Sequence, residues 1–327
     1  MTPPAGPATM HVPAMREFLT GWGWDVDALR GQRLRGGQEN INVRMRGGGV
    51  DAVLRVYQTT PAQEVAWELH EVATLAAAGF PTPGPVPRTD GVLWSWLAGR
   101  PAAVFPFVPG RRPRPYTLWA GEQVGRTLGL LGCLTLRPHG RPVRSRTDVG
   151  HLQRIHAVAQ GCGSPDPELP ALLRAAAAAT AWWDAAGAVR AALPFGVVHH
   201  DAHWDNVLLG PDGRVAALLD FDESYEDALL TDLARLIRLW GPNRPGGPVL
   251  PRRAVRLLAA YAAGRPPTTA EMRLLPAYVL VTALADVADY AANHLERAPE
   301  SSPLDQSRAW KTYRHLAADD HWRRALA

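Results

Sequence analysis

The chain has almost no lysine. Of its 35 Lys plus Arg residues, Lys311 is the only lysine, so any chemistry that ordinarily uses a lysine ammonium must here use another group. Cysteine is nearly as scarce, with only Cys133 and Cys162 and no CxxC pair. That excludes a disulfide scaffold and a multi-cysteine zinc or iron–sulfur site, and it fits a reducing compartment. No basic region followed by an apolar run stands at the N-terminus, so no secretory signal is expected. The most apolar stretch near the C-terminus, Leu274 to Leu284, is too short to span a bilayer and runs into Asp286 and Asp289. Long basic runs are also missing. The net charge of +4 is spread over scattered arginines, which argues against nucleic acid as a partner. A cytoplasmic globular protein without membrane attachment is the expectation, with its oligomeric state left open.

With 327 residues, 46% of them hydrophobic, the chain is long enough for about two domains. Residues 1–9 are Pro-rich and expected to be disordered, and a short helix fits 12–20. Three short strands follow at 32–35, 41–46 and 52–57. Gly36-Gly37-Gln38-Glu39-Asn40 joins the first two and Gly47-Gly48-Gly49 the last two, as in antiparallel hairpins. Thr60-Pro61-Ala62-Gln63 reads as a capping box opening a helix that Gly79 ends. Two more strands are expected at 92–96 and 102–108. Beyond Pro109-Gly110 helices are expected at 118–134, 170–192, 228–240, 251–263, 269–292 and 306–325. A β-like interruption with an Asp212-Gly213 hairpin turn separates the second of these from the third.

The densest polar signal lies in that interruption: His199-His200-Asp201-Ala202-His203-Trp204-Asp205-Asn206, then Asp220-Phe221-Asp222-Glu223. Three readings compete. His199, His200, His203 and the carboxylates could bind a hydrolytic metal, but the i, i+4 helical spacing of zincins is missing. The stretch could be a structural polar hairpin, at a desolvation cost for so many carboxylates beside apolar strands. Phosphoryl transfer needs an aspartate to orient the attacking hydroxyl, and an asparagine and a second aspartate as hard ligands for magnesium. Asp201, Asn206 and Asp220 meet that need in order, with Asp201 as base and the other two as ligands. The Gly-rich link upstream stands where a phosphate-covering turn is needed.

His199-x-Asp201-x4-Asn206, followed by Leu219-Asp220-Phe221, resembles the aminoglycoside phosphotransferase superfamily of kinase-like small-molecule kinases, which includes homoserine, choline and methylthioribose kinases. The resemblance runs from about Phe18 to the C-terminal helices. It implies an α+β, bilobal protein-kinase-like fold. Residues 1–109 would form a nucleotide-binding lobe with a small antiparallel sheet and one helix, and 110–327 a larger, mainly helical catalytic and acceptor-binding lobe. It implies ATP and Mg2+ as cofactors, with nucleotide contacts from Gly36, Gly37, Gln38, Asn40, Arg55, Glu68, Phe107 and Val108. His199 and Asp232 would support the catalytic loop.

Two departures from the family pattern stand out. His200 occupies a position that is usually glycine, which raises the question of its backbone angle. Arg55 occupies the third-strand slot of the phosphate-gripping lysine; guanidinium binds phosphate through its planar fork but with a different reach. Glu68 is its expected partner, with Glu64 and Glu71 on a nearby face, and a solvated edge-strand arginine is the bland alternative. Residues 104–110 would be the hinge where adenine meets the backbone of Phe107 and Val108, Pro106 having no N–H; an ordinary strand end is the alternative.

The acidic surplus after Asp220 leaves two readings open. Asp222 and Glu223, with Glu226 and Asp227, line an acceptor mouth that favours a cationic substrate, or they open a helix near Ala228. The expected function is an ATP- and Mg-dependent kinase. It would move the γ-phosphoryl group to a hydroxyl of a small polar, amine-bearing molecule of aminoglycoside, amino alcohol or homoserine type, with no antibiotic resistance implied. A pseudokinase, resting on Arg55 and His200, is the alternative; a protein-serine kinase lacks an activation-segment signature.

Overall fold

A computed structural model describes residues 12–34, 40–137 and 148–326. The loop Gly36–Gln38 expected to cover phosphates lies outside them, as does the N-terminal stretch expected to be disordered. The chain divides into two compact units, Met1–Gly110 with Ala216–Asp222, and Arg111–Val215 with Glu223–Ala327. A linear cut of the sequence near 109 does not anticipate the return of 216–222 to the first unit.

In the first unit, α1 (Val12–Thr20) precedes β1 (Arg30–Arg33), β2 (Ile41–Gly47) and β3 (Val50–Val56). Next come α2 (Ala62–Ala77), β4 (Trp94–Leu97) and β5 (Arg100–Pro106). The five strands form one antiparallel sheet in the order β1-β2-β3-β5-β4, so β3 is central. Strand alternation gives β3 two faces. Ala52, Leu54 and Val56 pack with Phe18, Leu19 and Trp22 of the N-terminal segment, while Tyr57, across the sheet, packs with Val65 and Leu69 of α2. Arg55 shares the parity of Tyr57 and therefore faces α2. The helix begins without the expected capping box: Pro61 is the N-cap residue and no side chain caps the first turn. β4 and β5 each sit about two residues from their expected positions.

The second unit holds α3 (Leu118–Thr135), α4 (Asp148–Cys162), α5 (Leu169–Ala185), α6 (Gly187–Arg190), β6 (Phe195–Val198) and β7 (Val207–Leu209). After β8 (Val215–Leu218), most of which returns to the first unit, come β9 (Tyr225–Ala228), α7 (Leu230–Trp240), α8 (Pro251–Ala262) and α9 (Thr269–Arg297). Short α10 (Pro303–Gln306), α11 (Arg308–Ala318) and α12 (His321–Leu326) end the chain. β6 and β9 pair antiparallel. The expected Asp212-Gly213 turn is present, with Gly213 at φ +81° and the Gly210 N–H donating to the Arg214 carbonyl.

The helix expected at 170–192 is broken into α5 and α6 and that at 306–325 into α11 and α12, and two further helices differ from expectation. α4 has no counterpart in the apolar pattern, because its buried face carries only Leu152 and Ile155 beside a buried Asp148. α9 is 29 residues, far longer than its apolar kernel, and by length and composition could cross a membrane. It is instead a core element, packed on α4, α5, α7 and α11 with Leu275, Tyr278, Val279, Leu284 and Val287 buried.

Gly121, Gly125 and Gly129 repeat every fourth residue along α3 and let α8 approach closely. A Cβ on Gly129 would stand 2.2 Å from the Tyr261 carbonyl oxygen, whereas one on Gly161 of α4 would meet nothing within 4 Å. Gly129→Ala should lower the unfolding free energy by on the order of 3 kcal/mol through overpacking. Gly161→Ala should raise it by roughly 0.5–1 kcal/mol through helix propensity. Urea midpoints of the two variants moving in the same direction would contradict this account of the α3–α8 contact.

Candidate active site

In the first unit Asn40, Arg55, Glu68 and Asp220, four of the residues expected around phosphate and metal, come together with Asp222. Arg55 is buried on the central strand, so the solvated edge-strand alternative is overturned. Its guanidinium pairs with Asp220 at short range, lies 3.6 Å from Asp222 Oδ2 and 3.9 Å from Glu68 Oε1. Of the three glutamates on α2, Glu68 falls on the buried stripe with Val65, Leu69 and Val72, which is why it reaches Arg55 and its neighbours do not. Glu68 Oε1 also accepts the Tyr57 hydroxyl at 3.0 Å. Burial, then Glu68, pushes the Tyr57 phenol well above its usual range. Burial works against the Arg55 charge, yet Asp220, Tyr57 and Glu68 more than offset it, and the guanidinium is held above its ordinary value.

Segment 216–222 is tied into this unit by the Leu218 N–H, which donates to the Pro81 carbonyl at 2.7 Å, and by Phe221 edge-on to Phe80. Asp220 takes a left-handed backbone, φ +69°, a conformation that Asp tolerates better than most residues. The next carboxylate corrects an expectation. Asp222 does not line an open mouth: it is largely buried, accepts Asn40 Nδ2 at 2.9 Å, and sits beside Asp220 and Arg55. Burial, then the Asp220 charge, pushes its carboxyl up to about 8. Glu226 and Asp227 correct the helix-start alternative as well. Both lie in β9, two residues before α7 begins; Glu226 pairs with Arg137 at 3.1 Å, and burial pushes Asp227 up to about 6.

At the end of β5 the Phe107 N–H donates to the Asp51 carbonyl at 3.1 Å, and the Phe107 ring lies under the Arg44 guanidinium. Phe107 is therefore not an available backbone donor. Val108 is the remaining position of the two.

The second unit assembles the catalytic-loop residues. Between β6 and β7 the chain has only a single helical turn, Trp204–Asn206, so its amides need side-chain partners. Asp232, in the first turn of α7, supplies them: one oxygen accepts the His199 N–H at 2.8 Å and the other the His200 N–H at 2.9 Å. Losing that carboxylate would leave two buried donors unsatisfied, at about 1–3 kcal/mol each. His200 answers the question raised by its sequence position with φ +70°, the left-handed region in which a glycine costs nothing. Its ring meets Tyr225 edge-on, and its Nε2 lies 3.4 Å from Asp148 Oδ1. Next to it, Asp201 has a side chain 40% exposed. Asn206 Nδ2 donates to both the carbonyl and Oδ2 of Asp201, each at 3.0 Å. Glu223 is half-buried just before β9.

Behind the loop lies a ladder that the sequence reading missed. Arg235 joins Asp148 at 2.6 Å to Asp286 at 2.9 Å, and Arg238 reaches the other Asp286 oxygen at 2.6 Å. The spacing Asp232, Arg235, Arg238 on α7 was the available signal. Burial alone would raise the Asp148 pKa, but Arg235 and His200 hold it far below the usual carboxylate range. A depressed carboxylate stabilises the fold above its unfolded pKa near 3.9, and that contribution fades as pH falls below it. Asp148→Asn should therefore cost on the order of 3 kcal/mol at pH 7. The penalty should shrink when urea unfolding is repeated below about pH 4; a penalty independent of pH would mean that Asp148 acts through packing rather than charge.

Residues 30–275 match the family described as "Phosphotransferase enzyme family". A protein from Gluconacetobacter diazotrophicus named homoserine kinase is 33% identical over 266 residues, 80% of each chain. Among solved structures, an aminoglycoside phosphotransferase from Alicyclobacillus acidocaldarius superposes with TM-score 0.67 at 17% identity, over 95% of this chain and 93% of that one. A microcompartment-associated aminopropanol kinase gives TM-score 0.67 at 21% identity, over 94% of both. The five-stranded antiparallel sheet and mainly helical remainder are those of the protein-kinase-like fold, and the chain belongs to the phosphotransferase enzyme family as a small-molecule kinase that phosphorylates an alcohol group.

Proposed function

We propose that the protein transfers the γ-phosphoryl group of ATP to the side-chain hydroxyl of homoserine or a closely similar amine-bearing alcohol. The observation that carries the reaction is the catalytic loop. Asn206 holds Asp201 through Oδ2, so the carboxylate is oriented while its other oxygen stays able to accept a hydroxyl proton. Support for the acceptor comes from the homoserine kinases similar over most of the chain. Glu223, half-buried just before β9, is the carboxylate proposed to meet an acceptor ammonium.

The donor set fits magnesium. Asn206 spends its amide N–H groups on Asp201 and keeps a carbonyl oxygen for a hard cation. Asp220 and Asp222 crowd two carboxylates into one buried place, a repulsion that a divalent ion relieves. Asn206 and Asp220 would hold the ion, which when bound neutralises charge on the phosphate oxygens. Arg55 Nε is buried without a hydrogen-bond partner, a donor suited to a phosphate oxygen. Asn40 and the Val108 backbone complete the proposed nucleotide contacts. The pseudokinase alternative loses its support, because Arg55 reaches Glu68 and Asp220 and His200 adopts the angle that its position needs.

ADP release from MgATP should be measured with L-homoserine, 3-aminopropan-1-ol, choline and an aminoglycoside. Homoserine should be the best acceptor. Asp201→Asn should lower turnover by roughly 100-fold or more while MgATP affinity stays within a few-fold, because the carboxylate serves the acceptor and not the nucleotide. Equal loss of both would remove Asp201 from the role of base, and transfer to a different acceptor would revise the substrate alone.

Arg55→Ala should raise the ATP KM and lower kcat, together costing on the order of 2–4 kcal/mol. Arg55→Lys should also fall below the parent, because a point charge cannot serve Glu68 and Asp220 at once as the guanidinium fork does. A lysine variant matching the parent would show that the slot needs only a positive charge.

A further inference from the structure

His203 belongs to the polar motif, yet the reaction described above gives it no task. It precedes the single turn Trp204–Asn206 and caps it, its Nδ1 accepting the Asp205 N–H at 3.0 Å. A ring nitrogen that accepts carries no proton, so the neutral imidazole bears its hydrogen on Nε2. Nε2 lies 3.3 Å from Asp201 Oδ2, the same oxygen that accepts the Asn206 amide. The Asn206 amide and the His203 ring thus meet at one carboxylate oxygen. The ring is itself held, tilted against Trp204 at 6.0 Å, with Trp204 edge-on to Trp240 and Trp240 Nε1 donating to the Ala202 carbonyl at 3.0 Å.

Two simpler roles fit less well. A cap alone needs one acceptor, and Ser, Asp or Asn supply it better than an imidazole. A metal ligand needs a lone pair, but Nδ1 spends its own on Asp205 and Nε2 lies against Asp201 at 3.3 Å. Among the described residues, moreover, no group of three or more His, Cys, Asp or Glu has metal-holding geometry.

We propose that His203 is a positioning residue for phosphoryl transfer: its Nε2–H fixes Oδ2 of Asp201 so that Oδ1 meets the acceptor hydroxyl. The inference rests on Asp201 being the base. The two ring nitrogens can be tested apart. His203→Asn offers an oxygen where Nδ1 stands and so keeps the cap, but ends short of Asp201. His203→Gln reaches as far as Nε2 with an N–H and loses the cap.

The thermal midpoint of His203→Asn should match the parent, while its kcat falls on the order of 10- to 100-fold from lost orientation. His203→Gln should unfold earlier yet keep kcat within about 3-fold of the parent. The ATP KM should be unchanged in both. Turnover in the Gln variant no better than in the Asn variant overturns the proposal, whatever their stabilities. If Asp201→Asn still turns over like the parent, the reading of Asp201 falls and this inference falls with it. If Asp201→Asn is inert and Gln does not surpass Asn, His203 alone is refuted.

Discussion

A guanidinium buried at the centre of a β-sheet loses its hydration and must recover that free energy from carboxylates, and most of the first unit's polar architecture answers to this requirement at Arg55. Alternation along β3 places the side chain on the α2 face. There the buried stripe of α2 must carry an acid, and Glu68 supplies it among Val65, Leu69 and Val72. The chain must also return from far along the sequence to deliver Asp220 and Asp222, which is why 216–222 groups with residues 1–110. Asn40 and Tyr57 then donate to the same carboxylate oxygens that face the arginine, Asp222 Oδ2 and Glu68 Oε1. Removing one of these acids leaves the buried cation with fewer carboxylates to offset its lost hydration.

The second unit solves a different problem, the ordering of a loop with little regular structure. Backbone amides outside helices and sheets still require partners, and Asp232 serves two of them from the start of α7. The order of the loop is thus inherited from helices that carry none of the reacting groups. Asp148 on α4 and Asp286 on α9 hold α7 through Arg235 and Arg238, and His200, the residue before Asp201, meets Asp148 directly.

What the sequence discloses follows from how local each determinant is. His199, Asp201 and Asn206 were legible because loop chemistry depends on short spacings, whereas Asp232, 33 residues from His199, was legible only through the family resemblance. Arg55 and Glu68 were legible through the family resemblance, as occupants of its third-strand and helix slots, and strand parity and helix periodicity give the physical reason that both face one side. α4 was hidden because its buried side is polar, and a buried Asp148 makes sense only with Arg235, 87 residues later. The acidic run after Asp220 misled because composition counts charges without assigning their directions: Asp222 turns toward Asn40, while Glu226 and Asp227 enter a strand whose Tyr-Glu-Asp-Ala pattern has no clear alternation. At Phe107 the competing partner was a carbonyl on a neighbouring strand, which side-chain patterns do not record.

The near-absence of lysine has a chemical consequence at β3. An ammonium at that position would exchange its proton and could be acylated, carbamylated or condensed with aldehydes. Arg55, held protonated by its carboxylates, offers no free amine. The lone lysine, Lys311, sits exposed on α11 and is none of the residues proposed for the reaction. Amine-directed reagents and lysine acetylation therefore have no target among those residues, and a dicarbonyl that condenses with guanidinium is the class of reagent directed at the central cation instead.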